Sequence, residues 1–293
     1  MAAEHENTRG TKATLYVVAT PIGNLADVTL RALDVLRQAD VIAAEDTRVT
    51  SRLLNHYNID ARRLVALHEH NEQRSAPRIV AELEAGRSVA LASDAGTPAF
   101  SDPGARIVRA VREAGFDVVP IPGPNAAAAA LSVSGCDGPR FLFCGFLPAK
   151  PAERRAALEE IALLPYALVF YEAPHRVVEA VEDLAKHLGG PRRIVIAREL
   201  TKLFESIHEC ALEEAGAWLA GNPDRVKGEF VLIVEGARPD ADAEAAEARR
   251  ALQILLEELP VKQAAALAAK ITGARKNDLY ALALEMKGVK REA

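Results

Sequence analysis

The sequence predicts an α/β protein with two α/β/α domains, whose mainly parallel or mixed sheets enclose a cleft, and a small C-terminal helical module. Short apolar runs rich in β-branched residues alternate with amphipathic stretches of helical length, which is typical of parallel sheets covered by helices. The alternation occurs in two series on either side of a Pro/Gly cluster at residues 120–124. A chain of 293 residues is also long enough to divide its core.

The first series forms the N-terminal α/β domain, residues 14–123. Its strands are predicted at residues 15–19, 41–44, 64–67 and 89–92, with helices at residues 28–38 and 77–85. One more strand should end at the loop of residues 120–126. The second series forms the C-terminal α/β domain, residues 124–237, with strands predicted at residues 141–146, 167–171, 193–197 and 230–234.

A polar segment then separates the α/β domains from the end of the chain. Residues 238–243 contain Pro and Asp without an apolar period and are predicted to be a linker. The module of residues 244–293 should contain helices at residues 245–258, 261–272 and 276–286. The turn around Gly273 gives the last two helices the proportions of a helix-turn-helix; a plain helical cap is the alternative.

Charge and composition indicate a soluble protein without an obvious polyanion-binding surface. The formal net charge is −5, but residues 260–293 carry seven basic and three acidic side chains, a local charge of +4 that also fits a solvated helical face. The apolar runs are too short to span a bilayer, and no signal peptide is visible, so a cytoplasmic location is expected. The three cysteines are expected to be buried and unpaired.

Three loops at the ends of predicted strands are candidate ligand sites, because open α/β sheets bind ligands at the carboxyl ends of their strands. The first, residues 20–24, lacks the glycines of a GxGxxG turn but contains the rigid Pro21. The second, residues 93–104, reads SDAGTPAFSDPG; Asp102 or Ser101 is expected to cap the next helix, whereas Asp94 caps no predicted helix and is the better candidate for a ligand contact. The third, residues 120–126, opens an alanine-rich helix and also fits an interdomain hinge.

Six motifs in order give the chain a specific resemblance. They are ATPIGNL (19–25), EDTR (45–48), HEHNE (68–72), SDAGTPAFSDPG (93–104), PGPNA (122–126) and FYEAPHR (170–176). In order and spacing they resemble the tetrapyrrole-methylase superfamily, and within it the branch that methylates a cytidine ribose 2′-oxygen of bacterial 16S ribosomal RNA. The resemblance runs from Leu15 to Gly288, including the terminal helices, so residues 1–13 fall outside it and are expected to be disordered.

The resemblance implies a homodimer that binds S-adenosylmethionine in the cleft between its two α/β domains, without a metal. It also implies which residues contact this cofactor: Pro21, Asp94, Gly96, Thr97, Asn125, Ala126 and Tyr171. The expected substrate is 16S ribosomal RNA in the small ribosomal subunit, with the methylated cytidine in the decoding region. Since only 5% of the residues are aromatic, no platform for stacking RNA bases is expected, and a structured particle is favoured over naked single strands.

Methylation of a ribose hydroxyl calls for a proton acceptor or for a cation that stabilises the developing alkoxide. The polar candidates on the cleft loops are Glu45, Asp46, Arg48, His70, Asn71, Glu72, Glu172 and Lys227. Lys227 and Glu45 are the predicted catalytic pair. His68 and His70 have no third partner at zinc-like spacing, so no metal is predicted. Arg48, Arg52, Arg74 and Arg78 are expected either to contact phosphates or to be ordinary surface charges.

Two other functions fit part of this pattern. A small-molecule methylase acting on a tetrapyrrole needs the same cofactor loops but not the basic terminal module. A non-enzymatic nucleic-acid-binding protein needs the helix-turn-helix but not two α/β domains with several ligand loops. The HEHNE segment and the basic terminus favour the ribosomal RNA methyltransferase.

Overall fold

The computed structural model describes residues 13–67, 72–101, 104–136, 138, 140–237 and 241–286, and within these it leaves out the side chains of residues 72–74 and 241–247. The chain divides into two compact units, Met1–Gly236 and Ala237–Ala293. The first unit contains two five-stranded sheets, and the second contains three helices. The predicted disordered segment, residues 1–13, lies outside the described residues except for the buried Ala13.

The first sheet is entirely parallel. Its strands are β1 (Thr14–Val18), β2 (Val41–Ala44), β3 (Leu64–Ala66), β4 (Val89–Ala92) and β5 (Asp117–Ile121). They lie in the order β3-β2-β4-β1-β5. The predicted loop at residues 120–126 therefore begins later than expected, because Pro120 and Ile121 still pair with β1.

Four helices cover the two faces of this sheet. They are α1 (Leu30–Gln38), α2 (Thr47–His56), α3 (Glu72–Glu84) and α4 (Ala105–Glu113). Successive residues of a strand point to opposite faces, so Val41 packs towards α3 and α4 while Ile42 packs towards α1 and α2. The first half of the unit is therefore an α/β/α sandwich. The helix predicted at residues 77–85 begins earlier, and Pro77 lies inside it.

The second sheet is mixed. Its strands are β6 (Phe141–Phe146), β7 (Ala167–Glu172), β8 (Arg193–Arg198), β9 (Ser206–Ala211) and β10 (Phe230–Val234). They lie in the order β6-β7-β10-β8-β9, with β6 parallel to β7 and the other pairs antiparallel. The edge strand β9 was not predicted, because His208 and Glu209 interrupt its apolar character.

Helices of different size cover the two faces of the second sheet. One face packs against α6 (Pro151–Ile161), α7 (Val177–Leu188) and α8 (Leu212–Ala220), and the other packs against α5 (Ala126–Val133). Because α5 is short and begins with five alanines, it covers only part of its face. Val231 and Ala197 on this face line a cavity beside the helix.

The second unit consists of α9 (Ala241–Glu258), α10 (Val261–Thr272) and α11 (Lys276–Met286). Its core is made of leucines and alanines, including Leu252, Ala265 and Leu279. Gly273 ends α10 in the left-handed region, with φ +76°, a conformation that favours glycine. Helix α9 begins inside the predicted linker 238–243, of which residues 238–240 lie outside the described residues.

The predicted fold class is confirmed: two α/β layers, one with a parallel and one with a mixed sheet, precede a small module of three helices. The domain boundaries at residues 123 and 237 stay predictions. The cysteines differ from expectation, since Cys136, Cys144 and Cys210 are free but only partly buried. In the part of the chain that the structure describes, no helix is both long and apolar enough to cross a bilayer.

Candidate active site

The parallel sheet has a switch point between its neighbouring strands β1 and β4. The chain leaves β1 towards β2 on one side, through α1, and leaves β4 towards β5 on the other side, through α4. These two helices pack on opposite faces of the sheet. Open α/β sheets bind ligands in the crevice that such a reversal leaves at the carboxyl ends of the strands.

The three loops predicted from the sequence meet at this crevice. Thr20 and Gly96 exchange backbone hydrogen bonds, from Thr20 N–H to Gly96 O at 2.8 Å and from Gly96 N–H to Thr20 O at 3.0 Å. The Thr97 hydroxyl donates to the carbonyl of Pro124 at 3.2 Å. Gly96 has φ +85°, a conformation that favours glycine. The first, second and third loops are thus joined by hydrogen bonds.

Asp94 connects the second loop to the start of α2. Its Oδ1 accepts the backbone N–H of Asp46 at 2.8 Å, and its own N–H donates to Glu45 Oε2 at 3.3 Å. Burial raises the pKa of Asp94. Asp46 caps α2 and forms an ion pair with Arg48, and these hydrogen bonds lower the pKa of Asp46 to about 2. Most of the EDTR motif therefore serves to hold the loop and the helix start together.

A cavity of about 330 Å³, here called the main cavity, lies where the two sheets face each other within the first unit. Five of the seven predicted cofactor residues line it: Gly96, Thr97, Asn125, Ala126 and Tyr171. Asn125 caps α5, and its side chain accepts the N–H of Ala128 at 3.0 Å. The main cavity therefore has the positive end of a helix dipole at its wall.

Phe100, Phe146 and Tyr171, from both halves of the unit, form another wall of the main cavity, and Phe143 packs against two of them. Phe100 stacks on Phe143 at a centroid distance of 4.2 Å, and Phe143 meets the edge of Tyr171 at 5.0 Å. Phe146 lies 5.7 Å from Tyr171, and the Tyr171 hydroxyl accepts the N–H of Ala127 at 3.2 Å. The low aromatic content of the chain concealed this cluster, because its members come from separate segments.

Glu172 is a buried carboxylate at the end of β7 that also lines the main cavity. Its Oε1 accepts the N–H of Ala173 at 2.9 Å and lies 3.3 Å from Nε of Arg176. Burial raises the pKa of Glu172, and the hydrogen bond from the Ala173 N–H and the charge of the nearby Arg176 oppose this only in part. A buried acid at the end of a strand is a recurrent feature of functional sites.

A second cavity of about 310 Å³, here called the side cavity, adjoins the main cavity. Ile22, Ala95 and Glu229 line both cavities. The remaining two predicted cofactor residues, Pro21 and Asp94, line the side cavity. The predicted set is therefore divided between two neighbouring spaces rather than gathered in one.

Lys202 contributes the ammonium group of the side cavity and was not selected from the sequence. It lies between β8 and β9, where Nζ donates to Glu199 Oε1 and to Glu229 Oε2, each at 2.8 Å. Burial alone would lower the pKa of Lys202, but the hydrogen bonds to both carboxylates outweigh burial and raise it. No short motif marks this lysine, because its position depends on contacts between distant segments.

The two predicted catalytic residues have different surroundings. Glu45 accepts the Asp94 N–H and so lies next to the wall of the side cavity. The side chain of Lys227 is 72% exposed and pairs with Asp224 at 2.8 Å, and it lines neither cavity. Their catalytic roles stay predictions. His68, His70 and Asn71 lie outside the described residues, as does the side chain of Glu72.

The arginines proposed for phosphate contact are only partly placed. Arg52 is exposed and lines the side cavity, whereas Arg48 is engaged by Asp46. The prediction that Asp102 caps α4 is wrong, because this helix begins at Ala105 and its N-cap is Gly104, without a side-chain hydrogen bond; Asp102 itself lies outside the described residues. Within the described ranges, no group of three or more His, Cys, Asp or Glu side chains is arranged to hold a metal ion.

Two α/β layers that enclose adjoining cavities at a switch point have the arrangement in which α/β proteins hold small-ligand sites. The family model of the tetrapyrrole (corrin/porphyrin) methylases matches residues 14–216. The chain belongs to this family. A second model, that of the RsmI C-terminal HTH domain, matches residues 242–287.

Curated relatives are similar over nearly the whole chain. A protein from Escherichia coli O157:H7, named ribosomal RNA small subunit methyltransferase I, is 52% identical over 97% of this chain and 99% of its own length. Relatives with the same name from Pseudomonas aeruginosa and Neisseria meningitidis serogroup B are each 50% identical. They cover 94% of this chain, and 98% and 94% of their own lengths.

Solved structures share the fold at low sequence identity. The methyltransferase CobJ has a TM-score of 0.59 and 22% identity, covering 77% of this chain and 95% of its own. The cobalt precorrin-4 methyltransferase CbiF has a TM-score of 0.58 and 16% identity, covering 78% and 96%. At these identities the likeness establishes the common fold of the two α/β layers.

Proposed function

We propose that this protein uses S-adenosylmethionine to methylate the ribose 2′-oxygen of a cytidine in the decoding region of 16S ribosomal RNA. The observation that carries the proposal is the convergence of the three predicted ligand loops on the main cavity. The substrate class follows from relatives of about half-identical sequence that are named as small-subunit ribosomal RNA methyltransferases. We propose a cytoplasmic homodimer acting on the small ribosomal subunit.

The main cavity suits this cofactor in size and chemistry. Its volume of about 330 Å³ falls at the lower end of the range for small-molecule sites. Its aromatic wall, with Phe146 and Tyr171, suits a sulfonium cation. The start of α5, capped by Asn125, suits the carboxylate of the methionine part. Gly96 lines the cavity without a side chain, which leaves room for a close approach.

When bound, the cofactor supplies an electrophilic methyl group, and the protein must then orient the acceptor oxygen and exclude competing water. Apolar residues from both halves of the unit, such as Phe100 and Val231, line the main cavity and would keep water out of it. Glu45 and Lys227 are the proposed proton acceptor and alkoxide-stabilising cation. Glu45 reaches the site through the Asp94 backbone, whereas Lys227 would have to leave Asp224.

The C-terminal unit is the proposed additional RNA contact. Lys262, Lys270 and Lys276 lie on α10 and α11, in a three-helix unit with its own core. Cations contribute the sequence-independent part of RNA affinity by neutralising phosphates. Binding through this unit should therefore weaken steeply as salt is raised.

The test is transfer of a labelled methyl group from S-adenosylmethionine to purified small subunits and to naked RNA, with the product mapped by nuclease digestion and mass. A 2′-O-methylcytidine in the decoding region is expected. Cofactor binding without methylation of RNA would instead identify a small-molecule methylase. Absence of cofactor binding would contradict the methyltransferase proposal altogether.

A further inference from the structure

The side cavity opens directly beside the main cavity, and only two of the seven predicted cofactor residues, Pro21 and Asp94, line it. Ile22, Ala95 and Glu229 form the boundary that the two cavities share. A transferase has to place two reactants next to each other in a fixed orientation. An adjoining space of similar volume, about 310 Å³, is therefore the natural position for the second reactant.

We propose that the side cavity binds the ribose of the acceptor nucleotide, with Lys202 donating a hydrogen bond to a ribose oxygen and Glu229 accepting one from a ribose hydroxyl. This inference rests on the proposed function, since it takes RNA to be the acceptor. It assigns to Lys202 and Glu229 a contact with the substrate itself.

The hydrogen-bonding capacity of Lys202 supports this assignment. An ammonium group has three donors, and Nζ of Lys202 uses two of them on Glu199 and Glu229. One donor is left for a ligand in the cavity that this side chain lines. Because both partners are carboxylates, the lysine stays charged and can donate but not accept.

The local charge favours a neutral hydroxyl over a phosphate at this position. One ammonium faces two carboxylates, Glu199 and Glu229, each 2.8 Å from Nζ. A phosphate placed there would meet a net negative environment, whereas a sugar hydroxyl both donates and accepts. The exposed Arg52 lies on the same cavity wall and is better suited to the phosphate that follows the ribose.

The backbone around Lys202 is held in an unfavourable conformation, which is common where a side chain must be positioned accurately. Glu199 and Thr201 have φ of +52° and +67°. The backbone is fixed by hydrogen bonds from Glu199 N–H to the Glu229 carbonyl, and from Glu229 N–H to Glu199 Oε1, both at 2.9 Å.

The same segment is tied to the first ligand loop from the other half of the unit. The Asn24 N–H donates to the Thr201 hydroxyl at 3.0 Å. A Cβ on Gly228 would collide with the Glu199 side chain. Contacts on two sides thus fix Lys202 between the first loop and the end of the second sheet.

The experiment compares reconstituted small subunits that carry either cytidine or 2′-deoxycytidine at the methylated position, as ligands for the full-length protein. Wild type should bind the ribose form more tightly, and Lys202→Met should lose most of that preference. Removing a hydrogen bond to a charged group lowers affinity by about 10- to 100-fold, which is the expected loss of preference for the ribose form. The kcat/KM for methyl transfer should fall by a similar factor, whereas cofactor affinity measured by calorimetry should change little.

Lys186→Met is the matched control, because Lys186 is an exposed lysine on α7 that lines neither cavity. It should keep both the preference and the activity. If Lys202→Met fails to fold, Lys202→Arg serves instead. That variant keeps the charge and should fold, but its planar head should recover only part of the preference for ribose.

The results distinguish failure of the ribose-binding role from failure of the proposed function. Unchanged preference and unchanged methyl transfer in the Lys202 variants would overturn the ribose-binding role while leaving the proposed function intact. If wild type binds the cofactor but methylates no small subunit, the proposed function fails, and the acceptor assignment fails with it.

Discussion

The backbone of Gly23 lies directly against the side chain of Lys202. A Cβ built on Gly23 would fall 2.6 Å from Cγ of Lys202 and 2.8 Å from the hydroxyl oxygen of Thr201. These distances are shorter than any van der Waals contact, so the first ligand loop requires glycine for space rather than for backbone conformation. The relationship couples the two halves of the unit at the edge of the side cavity.

Gly23→Ala should therefore displace Lys202 and lower the free energy of unfolding. Overpacking of this kind costs about 1–3 kcal/mol, to be measured by chemical denaturation, and kcat/KM for RNA should fall as well. Gly216→Ala, inside α8, is the control, since its Cβ would make only an ordinary van der Waals contact, at 3.7 Å from Cγ of Glu182. That change should leave activity intact and stability equal or higher. A fully active and stable Gly23→Ala variant would show that this contact is not required.

Tyr171→Phe should weaken cofactor binding. The change removes the hydroxyl that accepts the Ala127 N–H and so holds the start of α5 at the main cavity. Loss of one such hydrogen bond corresponds to about 0.5–1.5 kcal/mol, which is the expected decrease in binding free energy. Isothermal titration with S-adenosylmethionine measures the effect on affinity. Tyr166→Phe is the control, because Tyr166 lines neither cavity. Equal affinities for all three proteins would remove Tyr171 from the cofactor site.

Glu172→Gln should change the pH dependence of stability. Because burial raises the pKa of Glu172 in the folded protein, folded chains bind its proton more tightly than unfolded chains do. Stability is then lost as pH rises from the ordinary glutamate pKa through the raised value. The variant does not lose stability in this way. The Tm of the variant minus the Tm of wild type should therefore increase as pH rises from acidic to neutral.

Thermal unfolding at several pH values measures that difference. The glutamine can still accept the Ala173 N–H with its amide oxygen, which limits other effects of the change. Glu160→Gln, on an exposed position of α6, is the control for the loss of one carboxylate. A Tm difference that stays constant, or falls, with rising pH would contradict the assignment.

Lys227→Met separates the predicted catalytic lysine from Lys202. Both partners of the Lys227–Asp224 pair are more than 70% exposed, so the variant should unfold at nearly the same temperature as wild type. Single-turnover methyl transfer then tests its role without interference from unfolding. A decrease of about 100-fold or more would support the predicted role, whereas unchanged transfer would remove Lys227 from the mechanism.

The sequence was informative where a signal is local. The strands Val41–Ala44, Val89–Ala92, Phe141–Phe146 and Phe230–Val234 match their predicted bounds, because each is a continuous, mainly apolar run. The ligand loops were found for a similar reason, since Gly and Pro mark the ends of these strands.

Features that depend on contacts between distant segments were missed. Lys202 owes its position to Gly23 and Glu229, which are far from it along the chain. Phe100, in the loop after β4, and Phe143, in β6, become neighbours only in the folded protein. Strand β9 has too little apolar periodicity to be recognised, and pairing with β8 determines its structure.

The stack of Phe100 on Phe143 joins a loop of the parallel sheet to a strand of the mixed sheet. Each ring is covered by the other only when both sheets are folded. If one half unfolded alone, the ring of the other half would be exposed to water, which is unfavourable. Denaturant should therefore melt both sheets in a single transition, with an m-value set by their combined buried surface. The cleft is thus maintained by the same cooperativity that maintains the fold, and a ligand bound there would stabilise both halves at once.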